Sequence, residues 1–481
     1  MKLIYEKSST GRPGVQMSSI QISETEKIPE KYLRKVPANL PEVSEAEVVR
    51  HFTALSRLNF SIDTHFYPLG SCTMKYNPKS CEAAAALPEL TDVHPLWPQL
   101  LGGGLLTQGS LSILYNLERL LSEVTGLDEF TLQPMAGAHG ELTGVTLMAA
   151  YHKDMGNDKD HIIVPDSAHG TNPASAILAG YKVVTIPSDE KGMMDFNLFK
   201  EALNEKTAGV MLTCPNTLGV FNTRIKDICD AVHDVDGLMY YDGANFNAIM
   251  GRYKPGEIGF DICHLNLHKS FATPHGGGGP GAGPVGVVSK LKPYLPVSRV
   301  EKTPDGNFIL NYNEPKSIGY IAPFYGNFGI LVRAYAYILS LGSNGLLGTS
   351  NRAVLNANYL QEKMRPLFGA PYRGRCMHEF VFSGEFLKEY GVNVLDLAKG
   401  LIDYGFHPPT IYFPLNVPEA IMIEPTETED RDMLDNFVEK VSLLIEQARK
   451  NADVLHDAPK TTPVSRLDEK KAAKDMRLNY S

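Results

Sequence analysis

Short apolar runs alternate with segments of helical length through the middle of the chain. Runs that end in polar residues predict strands at 161–165, 183–187, 209–213 and 237–242. The segments between them predict helices at 173–180, 196–204 and 225–235. This alternation is typical of a mostly parallel, doubly wound sheet. Ligands bind beyond the carboxyl ends of such strands, so the polar residues that close them are the first candidates for chemistry.

The flanking regions predict further helices and a second, smaller unit. Ser44 can cap a helix that reaches Leu58, and a leucine stripe from Ser110 predicts a helix that ends near Gly126. A long apolar helix is expected at 330–341. Beyond it the pattern predicts helices at 352–367, 394–401 and 430–450, with strands at 379–382 and 420–423. We therefore predict three regions: an N-terminal arm and loop segment (1–105), a large domain (106–345) and a small C-terminal α/β domain (346–481).

Composition narrows the class of protein. An apolar content of 43% and a charged content of 21% over 481 residues are ordinary for a globular chain. A net charge of −9 argues against nucleic acid or an anionic membrane as the main partner. We see no apolar run near the roughly 18–20 residues that span a bilayer and no secretory signal at the start. The six cysteines form no C-x-x-C pair, so neither a zinc site nor a disulfide framework is indicated. These features predict a cytoplasmic protein.

Lys269 directly follows a histidine at the end of an apolar run, and glycines crowd positions 276–281. A lysine held at a strand end could form a Schiff base with a carbonyl cofactor. The glycines could let a flat ring and a phosphate approach the backbone. A surface lysine before a flexible glycine loop is the alternative for this segment alone.

Asp242 closes another predicted strand and is followed by Gly243, Ala244 and Asn245. A carboxylate there could keep the pyridine nitrogen of pyridoxal phosphate protonated, each unit of pKa being worth about 1.4 kcal/mol. An aspartate that caps a turn is the alternative. Thr213 closes a neighbouring strand, where it could line the same pocket or belong to a turn.

His169 follows the first of these strands and could stack on a flat cofactor ring, or simply precede a helix cap at Thr171 or Asn172. Small residues at Gly137 and Ala138 begin a helix, whose free N–H groups could bind a phosphate. No Gly-Lys-Ser/Thr follows, so this is not a P-loop. The segment 63–78, rich in polar and aromatic residues, predicts an ordered loop that either carries function or only packs.

The order of these parts is that of the large domain of fold-type I pyridoxal-phosphate enzymes: a small-residue helix start, a strand-end histidine, a strand-end aspartate, then His-Lys and glycines. We therefore predict an α/β fold of the fold-type I PLP-dependent transferase-like class, with a large sheet domain and a smaller C-terminal α/β domain.

Longer motifs then resemble one family, the glycine cleavage system P-protein, glycine dehydrogenase (decarboxylating). The resemblance runs from the first residues to the last few, and it is carried by the motifs LGSCTMKYNP (69–78), AHGE (138–141), HLNLHK (264–269), GGGGPG (276–281), YGNFG (325–329), HEF (378–380) and TTPVSRLDE (461–469). Because the chain is about half the length of the single-chain form and carries the lysine-bearing half, it resembles subunit 2 of the two-subunit form.

The resemblance implies roles for particular residues. It implies Lys269 as the Schiff-base lysine, Asp242 as the partner of the pyridine nitrogen, and His169 as the ring-stacking residue. Gly137, Ala138 and His268 are expected near the phosphate, and Thr213 and Ala244 are further expected cofactor contacts. His139 and Asn216 depart from the residues most usual in the family, which are glutamine or asparagine and serine. For the substrate pocket we expect His65, Ser71 and Thr73.

The resemblance also implies a reaction and partners. Glycine would be decarboxylated on pyridoxal 5'-phosphate and its aminomethyl group passed to the lipoyl arm of H-protein. Subunit 1 would complete an α2β2 heterotetramer, and no metal, nucleic acid or membrane partner is expected.

Other functions stay open. An aminotransferase could use Arg373 or Arg375 to grip a second carboxylate, and a desulfurase would need a mobile cysteine. A non-catalytic subunit that completes its partner's pocket would have no need to retain both Lys269 and Asp242.

Overall fold

The computed structural model describes residues 1–12, 14–15, 29–36, 38–97, 105–277, 279–372 and 374–476. Its contacts divide the chain into two compact units. One comprises Met1–Ser61 with Pro459–Ser481, and the other comprises Ile62–Ala458. The predicted domain boundaries at 105 and 345 are a different division of the chain, and they stay predictions.

The first unit contains helix α1 (Glu45–Ser56), which begins as predicted. The Ser44 hydroxyl accepts from the backbone N–H of Glu47, and the Glu47 carboxylate accepts from the N–H of Ser44. This capping box satisfies two N–H groups that would otherwise lack partners. The described part of the predicted N-terminal arm otherwise forms two single turns, Tyr5–Lys7 and Glu30–Tyr32, and the last helix among the described residues is Glu469–Lys474.

A seven-stranded sheet organises the second unit, in the order β1-β7-β6-β5-β4-β2-β3. The five strands from β6 to β3 are parallel, whereas β7 pairs antiparallel with both β6 and β1. The strands are β1 (Glu129–Thr131), β2 (His161–Pro165), β3 (Lys182–Ile186), β4 (Thr207–Thr213), β5 (Leu238–Gly243), β6 (Ile262–Leu265) and β7 (Val285–Val287). The doubly wound, mostly parallel sheet predicted from the alternating pattern is confirmed.

Helices cover both faces of this sheet. Neighbouring residues of β5 show the two faces, because Met239 and Tyr241 pack in one apolar cluster while Leu238 and Tyr240 pack in another. A strand covered on both sides reads as a continuous apolar run rather than an alternating one. The helices of the unit up to β7 are α2 (Lys79–Ala85), α3 (Pro88–Thr91), α4 (Gln108–Thr125), α5 (Gly137–Met155), α6 (Thr171–Leu178), α7 (Phe196–Ala202), α8 (Ile225–Asp234), α9 (Pro255–Ile258) and α10 (Leu267–Ser270).

Helix α11 (Phe328–Met364) joins two helices that the sequence predicted as separate, 330–341 and 352–367. The run is interrupted at Gly342, where φ is 59° and ψ is −175°. Glycine adopts this conformation without the strain that a side chain would add. By length and composition alone, α11 could cross a membrane, which differs from our expectation that no run approached that length. Its Ile330 and Leu331 nevertheless pack in the protein core, and Arg333 pairs with Glu82 at 2.8 Å.

A second, three-stranded antiparallel sheet lies in the C-terminal part of the same unit, in the order β10-β12-β11. Its strands are β10 (Phe380–Ser383), β11 (Thr410–Ile411) and β12 (Ala420–Ile423), and its helices are α12 (Val394–Asp403), α13 (Arg431–Lys450) and α14 (Asp453–His456). Both strands predicted here are confirmed. The short strand β11 was missed, as was a hairpin of β8 (Arg299–Lys302) and β9 (Phe308–Asn311), where the sequence pattern predicted no strand.

Candidate active site

Three polar side chains stand side by side where the central parallel strands end. Thr213 of β4 is in register with Asp242 of β5, and Asp242 is in register with His264 of β6. The chain then leaves β6 and enters α10, which carries Lys269. The topology therefore brings residues from three strands and one helix to a single edge of the sheet, where ligands bind in folds of this type.

A cavity of about 280 Å³ opens at this edge. All eight residues predicted to contact a cofactor line it: Gly137, Ala138, His169, Thr213, Asp242, Ala244, His268 and Lys269. Of the three residues predicted for the substrate pocket, Ser71 lines the cavity, and His65 and Thr73 do not. A larger groove of about 430 Å³ lies near Gly342, and none of these residues contributes to it.

Lys269 is half-buried, and its Nζ donates to the backbone carbonyl of Ser71 at 2.9 Å. Ser71 has a φ of 65°, a left-handed conformation that serine seldom adopts. The acceptor for the lysine amine is thus supplied by a loop whose backbone must be held in place.

Asp242 is buried, with 1% of its surface exposed. Its carboxylate accepts from the N–H of Ala244 at 2.9 Å and from the side-chain amide of Asn172 at 3.1 Å. Burial disfavours the charge, but the neighbouring His264 and these hydrogen bonds hold the pKa of Asp242 below its usual value. A carboxylate that stays ionised in a buried cleft suits a cationic partner such as a protonated ring nitrogen.

His264 lies beside Asp242 on the neighbouring strand, and the sequence pattern predicted no role for it. Its Nε2 lies 3.4 Å from Oδ1 of Asp242, while its Nδ1 lies 2.7 Å from the hydroxyl of Tyr240. Burial lowers the pKa of His264, which favours the neutral ring. A Tyr240 hydroxyl that donates to Nδ1 leaves the ring proton on Nε2, facing the aspartate. The register of β5 and β6 was the signal that could have found this residue.

Glu141 of α5 is a second residue that the sequence reading left without a role. Its Oε1 accepts from the hydroxyl of Thr171 at 2.9 Å, and its Oε2 is buried without a partner among the described residues. Burial, with the nearby charge of Asp242, raises the pKa of Glu141 to about 8. At neutral pH the carboxyl therefore keeps its proton and does not add a second negative charge beside Asp242.

His169 lies on the exposed side of the cavity, and its Nδ1 is 2.8 Å from the hydroxyl of Thr171. Thr171 is the first residue of α6 and Gly170 is its N-cap, so neither Thr171 nor Asn172 caps the helix as the sequence had suggested. The imidazole makes an edge contact with Phe413, with 5.9 Å between ring centroids. Burial by neighbouring atoms lowers the pKa of His169, so that a neutral ring is available to stack on a flat ligand.

The start of α5 lies tightly against the lysine segment. A Cβ at Gly137 would sit 2.5 Å from Oδ1 of Asn266, so a side chain there could not be accommodated without movement. No side chain caps this helix start, which leaves its first N–H groups for a ligand. Burial, together with the charge of Lys269, lowers the pKa of His268 to about 3, which favours the neutral ring as a hydrogen-bonding group.

Four polar atoms in residues that line the cavity are buried and have no hydrogen-bond partner among the described residues. They are Oε2 of Glu141, Oγ1 of Thr213, Oδ1 of Asn266 and Nδ1 of His268. Buried polar atoms are normally satisfied, so the set points to a ligand that is polar at several places. An anionic group at the helix start and a cationic ring nitrogen at Asp242 fit this donor and acceptor set, and pyridoxal 5'-phosphate carries both.

Other residues singled out in the sequence lie elsewhere. His139 accepts from the N–H of Met135 at 3.2 Å, and Asn216 stabilises its own turn through Leu218, so neither departure from the family pattern changes the cavity wall. Arg375 is exposed, and Arg373 lies outside the described residues.

Cys72 lines the cavity and is partly exposed, which bears on the desulfurase alternative. Burial raises the pKa of its thiol, which makes it a poor nucleophile at neutral pH.

Two buried groups of histidine and carboxylate side chains place three potential metal-ligand atoms within 4.8 Å of one another: Glu141, Asp242 and His264, and His378, Glu379 and Glu424. The expectation that the chain binds no metal stays a prediction.

Comparison with known proteins first defines the class. Residues 139–279 match the aminotransferase class-V family model. The fold is similar to that of a solved glycine decarboxylase (P-protein) of the glycine cleavage system in inhibitor-bound form, with a TM-score of 0.71, 20% identity, and coverage of 87% of this chain and 93% of that one. It is also similar to the cysteine desulfurase of Thermococcus onnurineus, with a TM-score of 0.62, 15% identity, and coverage of 79% and 95%. The fold is therefore that of the fold-type I pyridoxal-phosphate enzymes, as predicted.

The particular family follows from closer relatives. Residues 349–462 match the family model described as glycine dehydrogenase, C-terminal domain. The chain is 52% identical to a protein of Caldanaerobacter subterraneus, over 100% of this chain and 98% of that one. It is 51% identical to a protein of Bacillus licheniformis, over 99% and 98%. Both are named probable glycine dehydrogenase (decarboxylating) subunit 2. The chain belongs to the glycine dehydrogenase (decarboxylating) subunit 2 family, and the predicted family is confirmed.

Proposed function

We propose that this chain is the lysine-bearing subunit of a glycine dehydrogenase (decarboxylating), which binds pyridoxal 5'-phosphate and releases CO2 from glycine. One observation carries the proposal: Lys269 and Asp242 line one cavity together with the six other residues expected to contact the cofactor. The identity of the substrate, glycine, is inferred from the family to which the chain belongs.

Each residue of the cavity would hold one part of the cofactor. Lys269 would bind its aldehyde carbon, Asp242 its ring nitrogen, and His169 the face of its ring. The N–H groups of Gly137 and Ala138 would bind the phosphate, with the neutral ring of His268 beside them. Thr213 and Ala244 complete the wall near Asp242. When bound, pyridoxal phosphate accepts the electron pair left on the glycine carbon as CO2 departs.

The protein's own groups manage charge and protons around that step. Asp242 keeps the ring nitrogen protonated, and His264 and Asn172 keep Asp242 ionised and oriented. Glu141 retains its own proton and so leaves that pairing undisturbed. The carbonyl of Ser71 accepts a hydrogen bond from the Lys269 amine whenever the amine is not bonded to the cofactor. This acceptor would hold the amine ready to return after each turnover.

The next step requires a lipoylated carrier protein, in line with the family resemblance to the glycine cleavage system. The carbon that lost CO2 forms a bond to one sulfur of the oxidised lipoyl disulfide, and the S–S bond breaks. The second sulfur takes up a proton, the disulfide is reduced and the glycine carbon is oxidised. We infer H-protein as this carrier.

The names of the relatives bear on the assembly of the protein, and its cysteines bear on its cellular location. "Subunit 2" in those names supports a partner subunit 1, and we propose an α2β2 heterotetramer. All six cysteines are free, which suits a reducing, cytoplasmic compartment.

For the glycine carboxylate we propose Ser71 as a contact. His65 and Thr73 would affect the position of the glycine carboxylate from outside the cavity wall.

Isotope exchange tests the function. The chain would be combined with subunit 1, H-protein and pyridoxal phosphate, and labelled bicarbonate would be followed into the carboxyl group of glycine. We expect exchange with the wild-type chain. An assembled, cofactor-loaded enzyme that catalyses no exchange, or that transfers the amino group of glycine to a keto acid instead, would overturn the proposal.

A further inference from the structure

The loop 70–77, here called the early loop, is held by buried glutamates from distant parts of the chain. The backbone N–H of Ser71 donates to Oε2 of Glu379 at 2.7 Å. Two residues on, the hydroxyl of Thr73 donates to Oε1 of Glu424 at 2.5 Å. Both glutamates are fully buried, with 0% and 1% of their surfaces exposed. Each carboxylate thus fixes one position of the early loop.

Lys75, two residues further along the early loop, is also held by a buried glutamate. Its ammonium group, also buried, pairs with Glu427 at 2.8 Å. It donates as well to the side chain of Asn247 and to the backbone carbonyl of Ser270, each at 2.8 Å. Ser270 is the last residue of α10, next to Lys269. Lys75 therefore connects the early loop directly to the helix that carries the reactive lysine.

The second sheet brings Glu379 and Glu424 together. Glu379 immediately precedes β10 and Glu424 immediately follows β12, and Phe380 pairs with Ile423 across these antiparallel strands. Leu69, just before the early loop, makes an isolated bridge to the same Ile423. The two carboxylates consequently lie at one end of the sheet, against the early loop.

The surroundings make these carboxyl groups costly to bury. Nε2 of His378 lies 3.9 Å from a carboxylate oxygen of both Glu379 and Glu424, and neither nitrogen of His378 has a hydrogen-bond partner among the described residues. Burial raises the pKa of Glu379 to about 7, and burial with the charge of Glu379 raises the pKa of Glu424 well above its usual value. Buried carboxyl groups of this kind are unfavourable for stability alone, which indicates a role in function.

We propose that Glu379, Glu424 and Glu427 are positioning residues that hold the early loop over the cavity and thereby place the carbonyl of Ser71 on the amine of Lys269. The left-handed backbone of Ser71 explains why the loop must be held. Glu379 binds the N–H of the same residue whose carbonyl binds the lysine, so its hydrogen bond sets the orientation of that carbonyl. The catalytic consequence rests on the proposed function, whereas the positioning itself does not.

The rate at which the thiol of Cys72 is modified would report directly on how often the early loop opens. Cys72 lies between Ser71 and Thr73, and it is the one cysteine of the six that is not fully buried. A thiol reagent applied to the cofactor-free chain should therefore modify Cys72 first. The rate of that modification, followed by peptide mass spectrometry, reports how often the loop opens.

Two variants loosen the loop in different ways. Glu379→Gln keeps the shape, but a glutamine has one oxygen for the two donors that the carboxylate now accepts, Ser71 N–H and the amide of Asn245. Thr73→Val removes the hydrogen bond to Glu424 without changing any charge near Cys72. We expect Cys72 to react about tenfold faster in each, as for the loss of one buried hydrogen bond. A matched control, Glu118→Gln, replaces a buried glutamate on α4 and should leave the labelling rate unchanged.

The second readout is the rate at which the cofactor-free protein binds pyridoxal phosphate again. Pyridoxal phosphate added to cofactor-free Glu379→Gln or Thr73→Val should restore the visible absorption band more slowly than in wild type. In the assembled enzyme, the rate constant for exchange should fall about tenfold, because the amine of Lys269 loses the positioned carbonyl of Ser71.

Wild-type rates of Cys72 labelling and of band recovery in folded Glu379→Gln and Thr73→Val would overturn the proposal. Thr73→Val decides alone if Glu379→Gln does not fold. Labelling that accelerates as expected, in a chain whose wild type shows no exchange, would retain the positioning role and reject the proposed function instead.

Discussion

At the scale of single residues, the candidate site depends on keeping one carboxylate charged and a neighbouring one neutral. Asp242 is surrounded by donors, and Glu141 has its charge suppressed by burial and by Asp242 itself. Environments that push two carboxyl pKa values apart are typical of active sites, because each group can then serve a different purpose. Here the ionised member would hold the cofactor ring nitrogen.

Replacing Asp242 with asparagine tests that assignment. Asp242→Asn keeps the shape of the side chain and removes the charge that would keep the ring nitrogen protonated, although one oxygen then remains for the two donors, the N–H of Ala244 and the amide of Asn172. We expect the exchange rate to fall by about 100-fold or more, equivalent to roughly 3 kcal/mol, with folding retained. His169→Asn, which changes a proposed stacking contact but no carboxylate, provides the comparison. Exchange at the wild-type rate in Asp242→Asn would remove Asp242 from its proposed role.

The pH dependence of stability can be predicted for a buried glutamate outside the site. Burial and the nearby Glu129 raise the pKa of Glu118 to about 8. A carboxyl group with a raised folded-state pKa binds its proton more tightly in the folded chain, so its contribution is complete below about pH 4 and is lost as pH rises to about 8. Glu118→Gln should therefore flatten the fall in stability between these values, as measured by urea unfolding. An unchanged pH dependence would contradict the assignment.

At the scale of elements, the sequence predicted best what depends on local pattern. The leucine stripe of α4 is buried as expected, with Leu111, Leu114 and Leu117 each 0% exposed, and Gly126 ends the helix in the left-handed conformation. The strands that end at Thr213 and Asp242 were also predicted. The hairpin β8–β9 was missed because its strands are short and half-exposed. The predicted end of a helix at position 341 agrees with the interruption of α11 at Gly342, but helical structure resumes earlier than the predicted position 352.

Within the site, the sequence pattern pointed to residues that line one cavity where these follow strands, and their roles stay predictions; it did not point to residues that depend on distant pairing. The eight cavity residues lie at strand ends or helix starts, which the apolar pattern locates. His264 needed the register of β5 and β6. Glu379 and Glu424 contact residues more than 300 positions away, and no local pattern indicates which loop a distant sheet will meet.

The buried pair of Lys75 and Glu427 gives a prediction at the scale of elements, since it joins the early loop to the C-terminal part of the chain. Lys75→Met should destabilise the fold by about 3–5 kcal/mol, because it leaves Glu427 buried without its partner. The double variant Lys75→Met with Glu427→Gln should recover part of that loss. Urea unfolding of the three chains measures both effects. A single variant as stable as wild type would show that the pair contributes little.

At the scale of the whole molecule, the large sheet forms the cavity floor and the second sheet supplies the carboxylates that hold its loop. Family membership over nearly the full length explains why both parts occur in one chain. The relatives' names imply another subunit, and the proposal of an α2β2 assembly belongs to this scale. Sedimentation of the chain mixed with subunit 1 should give a single species of four chains, and separate species at micromolar concentrations would contradict it.

The central claim is that Lys269 holds pyridoxal phosphate in this cavity. Borohydride reduction of the cofactor-loaded chain, followed by peptide mass spectrometry, tests it most directly. We predict a pyridoxyl group on Nζ of Lys269 and none in Lys269→Ala, with Lys75 unmodified in both. A cofactor trapped on a different lysine, or none trapped in a folded wild-type chain that shows the absorption band, would contradict the claim.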